Sequence, residues 1–166
     1  MLEVIMKVIK KQNNSKLCFI CGIENEFGLK APFYEMEDKS VISLFTYHDY
    51  HQSYPERVHG GLITAMLDEI AGRAIWIIEP NTWAVTTEIK VKFRKVVPYD
   101  VELKAVGKIT KNTRRIFYAT AQLFDNEENI LAEAEVTYFK LPLEKISTTG
   151  HDDVNIYIPD NVTEIN

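Results

Sequence analysis

Between residues 85 and 138 apolar and polar residues alternate with a period of two. Val85, Thr87, Ile89, Val91 and Phe93 alternate with Thr86, Glu88, Lys90, Lys92 and Arg94. Val101, Leu103, Ala105, Gly107 and Ile109 form a second such run, and Phe117, Ala119, Ala121 and Leu123 a third. Ile130, Ala132, Ala134, Val136 and Tyr138 form the fourth, joined to the third by the turn "DNEEN". Runs with one apolar face predict an antiparallel sheet covered on one side. Upstream, "LKAPFYEME" and "SVISLFTYH" read as two more strands around a turn at Asp38-Lys39.

One stretch, Leu62 to Ile78, has helical rather than strand periodicity. Met66, Ile77, Ile70, Ile63, Ala74, Leu67, Ile78 and Ala71 fill a continuous apolar arc of about 140° on a helical wheel. A helix this apolar is enclosed, so the sheet is expected to curl around it. Two strands, one helix and four strands make an α+β fold with an antiparallel sheet wrapped around one long central helix. Residues 2–12 read as a short amphipathic helix stopped by Asn13-Asn14-Ser15. Residues 49–61 carry no period and contain Pro55, so they read as a loop, and the polar stretch after Leu141 reads as a tail. The expected organisation is an N-terminal extension over 1–16, a domain over 17–140 and a tail over 141–166.

Composition narrows the function classes. The 166 residues are 46% hydrophobic and include two Trp, eight Tyr and eight Phe, enough for a packed core. A net charge of -5 offers no general attraction for nucleic acid or anionic lipid. No apolar run reaches membrane-spanning length, and the opening residues lack the pattern of a signal peptide. A soluble cytoplasmic protein is expected, with neither a nucleic acid nor a membrane as partner. Two cysteines supply no disulfide framework. Cys18-x-x-Cys21 is half a zinc motif, but His48-x-x-His51 is short for the other half. The cysteines are therefore expected to pack the loop against the core, with no metal.

The chemistry gathers at "VHGGLITAMLDEIAG", residues 58–72. Glu69 stands four residues before Arg73, a helix-surface pair worth a few tenths of a kcal/mol. Asp68 has Thr64, Ala65, Gly72 and Ile75 as wheel neighbours and no cation among them. Such a carboxylate costs several kcal/mol unless it meets solvent, a donor or a ligand. Gly72 leaves room beside it. Gly60 and Gly61 open the helix, where the first N–H groups are unsatisfied and the dipole adds partial positive charge. That arrangement suits a polarised carbonyl oxygen. Gly60 and Asp68 lie eight residues apart, about 12 Å along one helix, so the two cannot grip one carbonyl unless a second copy packs its helix antiparallel.

The element order and "HGGLITAMLDEIAG" resemble the hotdog-fold acyl-CoA thioesterases of the PaaI-like thioesterase superfamily. "CFICGIENEFGL", "HQSYPERVHGG" and "AVTTEIKVKFRKVVPYD" extend the resemblance over roughly residues 17–140. It implies a homodimer with sites shared between subunits, or a tetramer of such dimers, acting on an acyl-CoA. Carried across by position, Asp68 is the catalytic base or nucleophile, the Gly60 N–H polarises the thioester carbonyl, His59 orders the loop and Thr86 assists the water. Gln52 or Ser53 falls where the family places a polar group near the thioester. Gly61 and Glu69 count among the substrate-binding positions. Where the family's loop carries glycines this chain has Ser53 and Glu56. Against the resemblance, these bulkier side chains are expected either to narrow the acyl entrance or to leave Arg57 to meet a coenzyme A phosphate. Lys90, Lys92, Arg94 and Lys95 form either a solvated strand face or a second phosphate contact. Thioester hydrolysis needs one donor and one carboxylate, hence no cofactor. A non-catalytic acyl-CoA-binding or sensor module with the same pocket is the alternative.

Overall fold

The computed structural model describes residues 5–148 and 151–166. In chain order the strands are β1 (Met6–Lys11), β2 (Tyr34–Met36), β3 (Val41–Thr46) and a small hairpin of β4 (Gln52–Tyr54) and β5 (Arg57–Val58). Helix α1 (Gly60–Arg73) follows, continued by a 3₁₀ turn over Ala74–Ile77. Then come β6 (Ala84–Phe93), β7 (Glu102–Asn112), β8 (Ile116–Phe124), β9 (Ile130–Lys140), the short α2 (Leu143–Ile146) and β10 (Glu164–Ile165). Eight strands form one antiparallel sheet in the order β10-β1-β2-β3-β7-β8-β9-β6, which wraps α1 as the apolar arc demands. Ile63, Met66, Leu67, Ile70 and Ala71 are buried against Leu103, Ala105, Phe117, Ala119, Leu123, Ala134 and Val136. A Cβ on Gly107 of β7 would collide with the Ile70 carbonyl. The bare glycine lets the helix settle directly onto the sheet.

Four features depart from the expectations. The stretch expected as an N-terminal helix is strand from Met6 to Lys11, paired with β2 and β10, while residues 2–4 lie outside the described residues. Met6 and Val8 pack against Tyr34, Met36, Ile42 and Ile165, and this apolar patch decides the conformation over local helix propensity. The segment after Leu141 is pinned to the fold, although residues 149 and 150 lie outside the described residues. Asn14 and Ile156 exchange backbone hydrogen bonds of 2.8 and 2.9 Å, and β10 closes the sheet edge. The central helix ends its α-turns at Arg73, so the tighter winding that follows leaves Ile78 exposed rather than in the apolar arc. The fourth departure is in β6. There a bulge between Thr86 and Glu88 reverses the alternation. Ile89 and Val91 oppose Val136 and Ala134 on the core face, and upstream of the bulge it is Thr86, not Thr87, that opposes buried Tyr138.

Candidate active site

The bulge aims Thr86 at the helix. Its hydroxyl donates to Asp68 Oδ1 at 2.8 Å, with Oδ2 at 3.1 Å. Its cross-strand partner Tyr138 sets its phenol 2.6 Å from the Asp68 carbonyl and 3.0 Å from Oδ1. Tyr138 reads in the sequence as one more core position of β9. The signal was its polar tip, which a buried tyrosine has to satisfy. Gly72 makes the contact possible, because a Cβ there would sit 3.3 Å from the tyrosine ring. Tyr138 thus takes up part of the room beside Asp68, and both Gly72 and Tyr138 line the cavity that remains. No cation pairs with Asp68 among the described residues. Burial pushes its carboxyl up from the ordinary 3.8, against the pull of the Thr86 and Tyr138 hydrogen bonds, and the neighbouring Glu69 charge adds to the rise. Asp68 lines a cavity of about 290 Å³ walled also by Cys18, Cys21, Glu69, Trp83 and Thr86, with Val154 entering from the C-terminal segment.

Glu69 faces a different environment. Its Oε1 accepts from Arg73 Nε at 2.8 Å, the expected pair, but Arg73 is buried rather than at a polar edge. The guanidinium lies 4.0 Å above the Phe33 ring and donates to the Asn13 carbonyl at 2.8 Å. Burial opposes ionisation of Arg73, but the charge and hydrogen bond of Glu69 together with the Cys21 sulfur outweigh it and hold the guanidinium above its ordinary pKa.

The helix entrance is capped, contrary to the expectation of bare amides. His59 is the N-cap, and its Nδ1 accepts the Gly61 N–H at 2.9 Å. The Gly60 N–H has no acceptor among the described residues. A Cβ on Gly60 would meet only the Phe93 ring at 3.5 Å, ordinary contact, so nothing inside the chain requires glycine there.

The other positions lie apart from Asp68. Gln52 and Ser53 are exposed on β4 and Arg57 on β5, and none of them lines the cavity. The turn joining the two strands sets Glu56 at φ 66°, a left-handed position that glycine adopts at no cost. Arg57 Nη1 donates to the Glu56 carbonyl at 3.0 Å. Arg94 Nε donates to Glu133 Oε1 at 3.2 Å, and Lys92 stands 4.0 Å from the same carboxylate. The His48-His51 pair serves its own loop: His51 Nδ1 accepts the His48 N–H at 2.9 Å, which leaves Nε2 to donate to the Phe27 carbonyl at 2.7 Å. Cys18 and Cys21 instead meet Glu69 at the cavity wall. No helix of the described residues is long and apolar enough to cross a membrane.

Comparisons with known proteins agree with this architecture. The sequence profile of the thioesterase superfamily matches residues 56–132, which hold β5, the helix, β6, β7, β8 and the start of β9. A mouse (Mus musculus) protein, acyl-coenzyme A thioesterase THEM4, is 27% identical over 147 residues, covering 87% of this chain and 63% of the mouse protein. The chain therefore spans less than two thirds of that relative's length. Among solved structures, a thioesterase superfamily protein superposes with a TM-score of 0.66 at 20% identity, over 72% of this chain and 58% of the other. A hypothetical thioesterase from Streptococcus pneumoniae, solved with coenzyme A, gives a TM-score of 0.60 at 20% identity, over 67% of this chain and 85% of the other. With its sheet wrapped on one helix, the chain has the hotdog fold of these solved structures, and its residues 56–132 are similar to the thioesterase superfamily.

Proposed function

We propose that this protein hydrolyses acyl-CoA thioesters and that Asp68 is its general base. The observation that carries the reading is a half-buried carboxylate held at a cavity wall by two hydroxyls, with no cation beside it among the described residues. A carboxyl pushed up by burial is a stronger base than one stabilised by a cation. Asp68 takes a proton from a water whose oxygen attacks the thioester carbonyl carbon. The carbon–sulfur bond then breaks, and the coenzyme A sulfur leaves with that proton. Oδ2 is the less encumbered oxygen, since Oδ1 meets both hydroxyls while Oδ2 meets only Thr86.

The oxyanion donor in this reading is the Gly60 N–H of a second copy. The outer edge of β6 has no neighbouring strand among the described residues, and an unpaired edge of ten residues invites pairing. If β6 pairs antiparallel with its own copy, the Phe93 end of one strand lies beside the Thr86 end of the other. Gly60 sits over Phe93 and Asp68 sits on Thr86. A homodimer thus joins the two half-sites that about 12 Å of helix separates within one chain. Arg57, exposed at the rim, is then free to swing to a coenzyme A phosphate.

The experiment is thiol release from short, long and aromatic acyl-CoAs by the parent and Asp68→Ala. The expected result is turnover of at least one class, with the variant slower by about 10²–10⁴. Binding of an acyl-CoA without turnover by the parent would establish a sensor module instead.

A further inference from the structure

The loop "SKLCFICG" approaches α1 at Glu69, on the same cavity as Asp68 but apart from its hydroxyl partners. Cys18 Sγ, Cys21 Sγ and a Glu69 carboxylate oxygen lie within 4.8 Å of one another. Cys18 Sγ accepts the backbone N–H groups of Ile20 at 3.3 Å and Cys21 at 3.4 Å, and Cys21 Sγ lies 3.2 Å from the Ser15 hydroxyl. Such N–H···S bonds favour the thiolate, which is the form that binds metal. Buried Asn14 holds the loop in place by donating to the carbonyls of Cys21 at 2.7 Å and Ala31 at 3.0 Å.

We propose that Cys18, Cys21 and Glu69 form a binding site for a thiophilic divalent cation of the zinc class, with its fourth position open to the cavity. Three observations support it. First, the spacing fits. A tetrahedral ion with bonds of about 2.3 Å to sulfur and 2.1 Å to oxygen separates those two ligands by about 3.6 Å, and Cys18 Sγ stands 3.8 Å from Glu69 Oε2. Second, the carboxylate is already oriented. Arg73 holds Glu69 through Oε1 and leaves Oε2 toward the thiols, as an outer-shell partner orients a ligand. Third, the charges balance. Two thiolates and one carboxylate against the Arg73 guanidinium leave two negative charges, which one divalent ion neutralises in a buried setting. Thiolate ligands select zinc over calcium or magnesium. Cys21 also packs in the core with Cys18 against it, and spacing alone does not reveal Glu69, which lies 48 residues after Cys21.

The test reads the thiolates directly, so it does not depend on thioester hydrolysis. Reduced protein is titrated with Co²⁺, and the sulfur-to-cobalt charge-transfer absorption in the near ultraviolet is followed. The expected result is a band that saturates at one ion per chain, is displaced by Zn²⁺, and disappears in Cys18→Ser and in Cys21→Ser. Because the chain has only two cysteines, no other thiolate can produce it. Glu69→Gln is expected to weaken binding by about 10-fold or more. No band from protein whose two thiols are shown to be free overturns the site. So does a zinc-induced rise in melting temperature that survives in the double cysteine variant, which would mark adventitious binding only.

Discussion

Asp68 and Glu69 are consecutive residues on one helix and line one cavity, yet they sit in opposite electrostatic surroundings. Glu69 is tied to a buried guanidinium, with its ion pair roofed by Phe33. Asp68 meets two hydroxyls and, among the described residues, no cation, and burial pushes its carboxyl toward the protonated form. A turn of about 100° between neighbours is enough to separate them. One side faces the N-terminal loop that carries Asn13 and the cysteines, and the other faces the β6–β9 strand pair. The lesson is that a carboxylate's role follows from which element packs against it. Proximity in sequence or in one cavity does not assign it.

The comparison breaks hardest at Glu69. Glu69→Ala leaves Arg73 buried without its carboxylate, and losing one partner of such a pair costs about 3 kcal/mol or more. Denaturant titration should show that loss, whereas Asp68→Ala should not unfold the chain. Thr86→Val removes a hydroxyl donor to an ionised group, worth about 1.5–3 kcal/mol, so kcat for thiol release is expected to fall by about 10-fold or more, with KM little changed. Tyr138→Phe keeps the ring stacked at 4.6 Å on Phe117 but loses the bonds to Asp68. It is expected to destabilise by about 1 kcal/mol and to raise the Asp68 carboxyl further, since that hydrogen bond holds it down. The smallest effect belongs to Gly72→Ala. A gain of about 1 kcal/mol in helix propensity works against a Cβ at 3.3 Å from Tyr138. The melting temperature should move little while activity drops as the phenol is displaced from Asp68.

Much of the fold was legible because β7, β8 and β9 keep strict alternation and α1 keeps its apolar arc. The N-terminal strand was not, because what fixes it comes from far along the chain, at β2 and β10. Within the site, Asp68 stood out by its lack of a wheel partner. Thr86 came through the family resemblance, against the alternation that assigned it outward, since a bulge is invisible to periodicity. Tyr138 was hidden by belonging to a regular apolar run. The burial of Arg73 was hidden because helix spacing shows the pair but not the Phe33 ring over it. The cysteines' meeting with Glu69 depends on a long loop closing onto the helix, which only the folded chain shows.

As the proposed base, Asp68 serves reaction at the expense of stability. Its folded pKa lies above the unfolded value, so its ionised form costs stability at neutral pH, and that cost vanishes as pH falls below both values. Asp68→Asn keeps the shape and the hydroxyl contacts but carries no charge. The direct measurement is thiol release and thermal melting on one preparation of Asp68→Asn beside the parent, at pH 7 and near pH 4. Turnover is expected to fall by about 10² or more, with a melting temperature at pH 7 equal to or above the parent's and a difference that shrinks toward pH 4. A variant that turns over acyl-CoA at the parental rate, or one that melts well below the parent at pH 7, would contradict that role of Asp68.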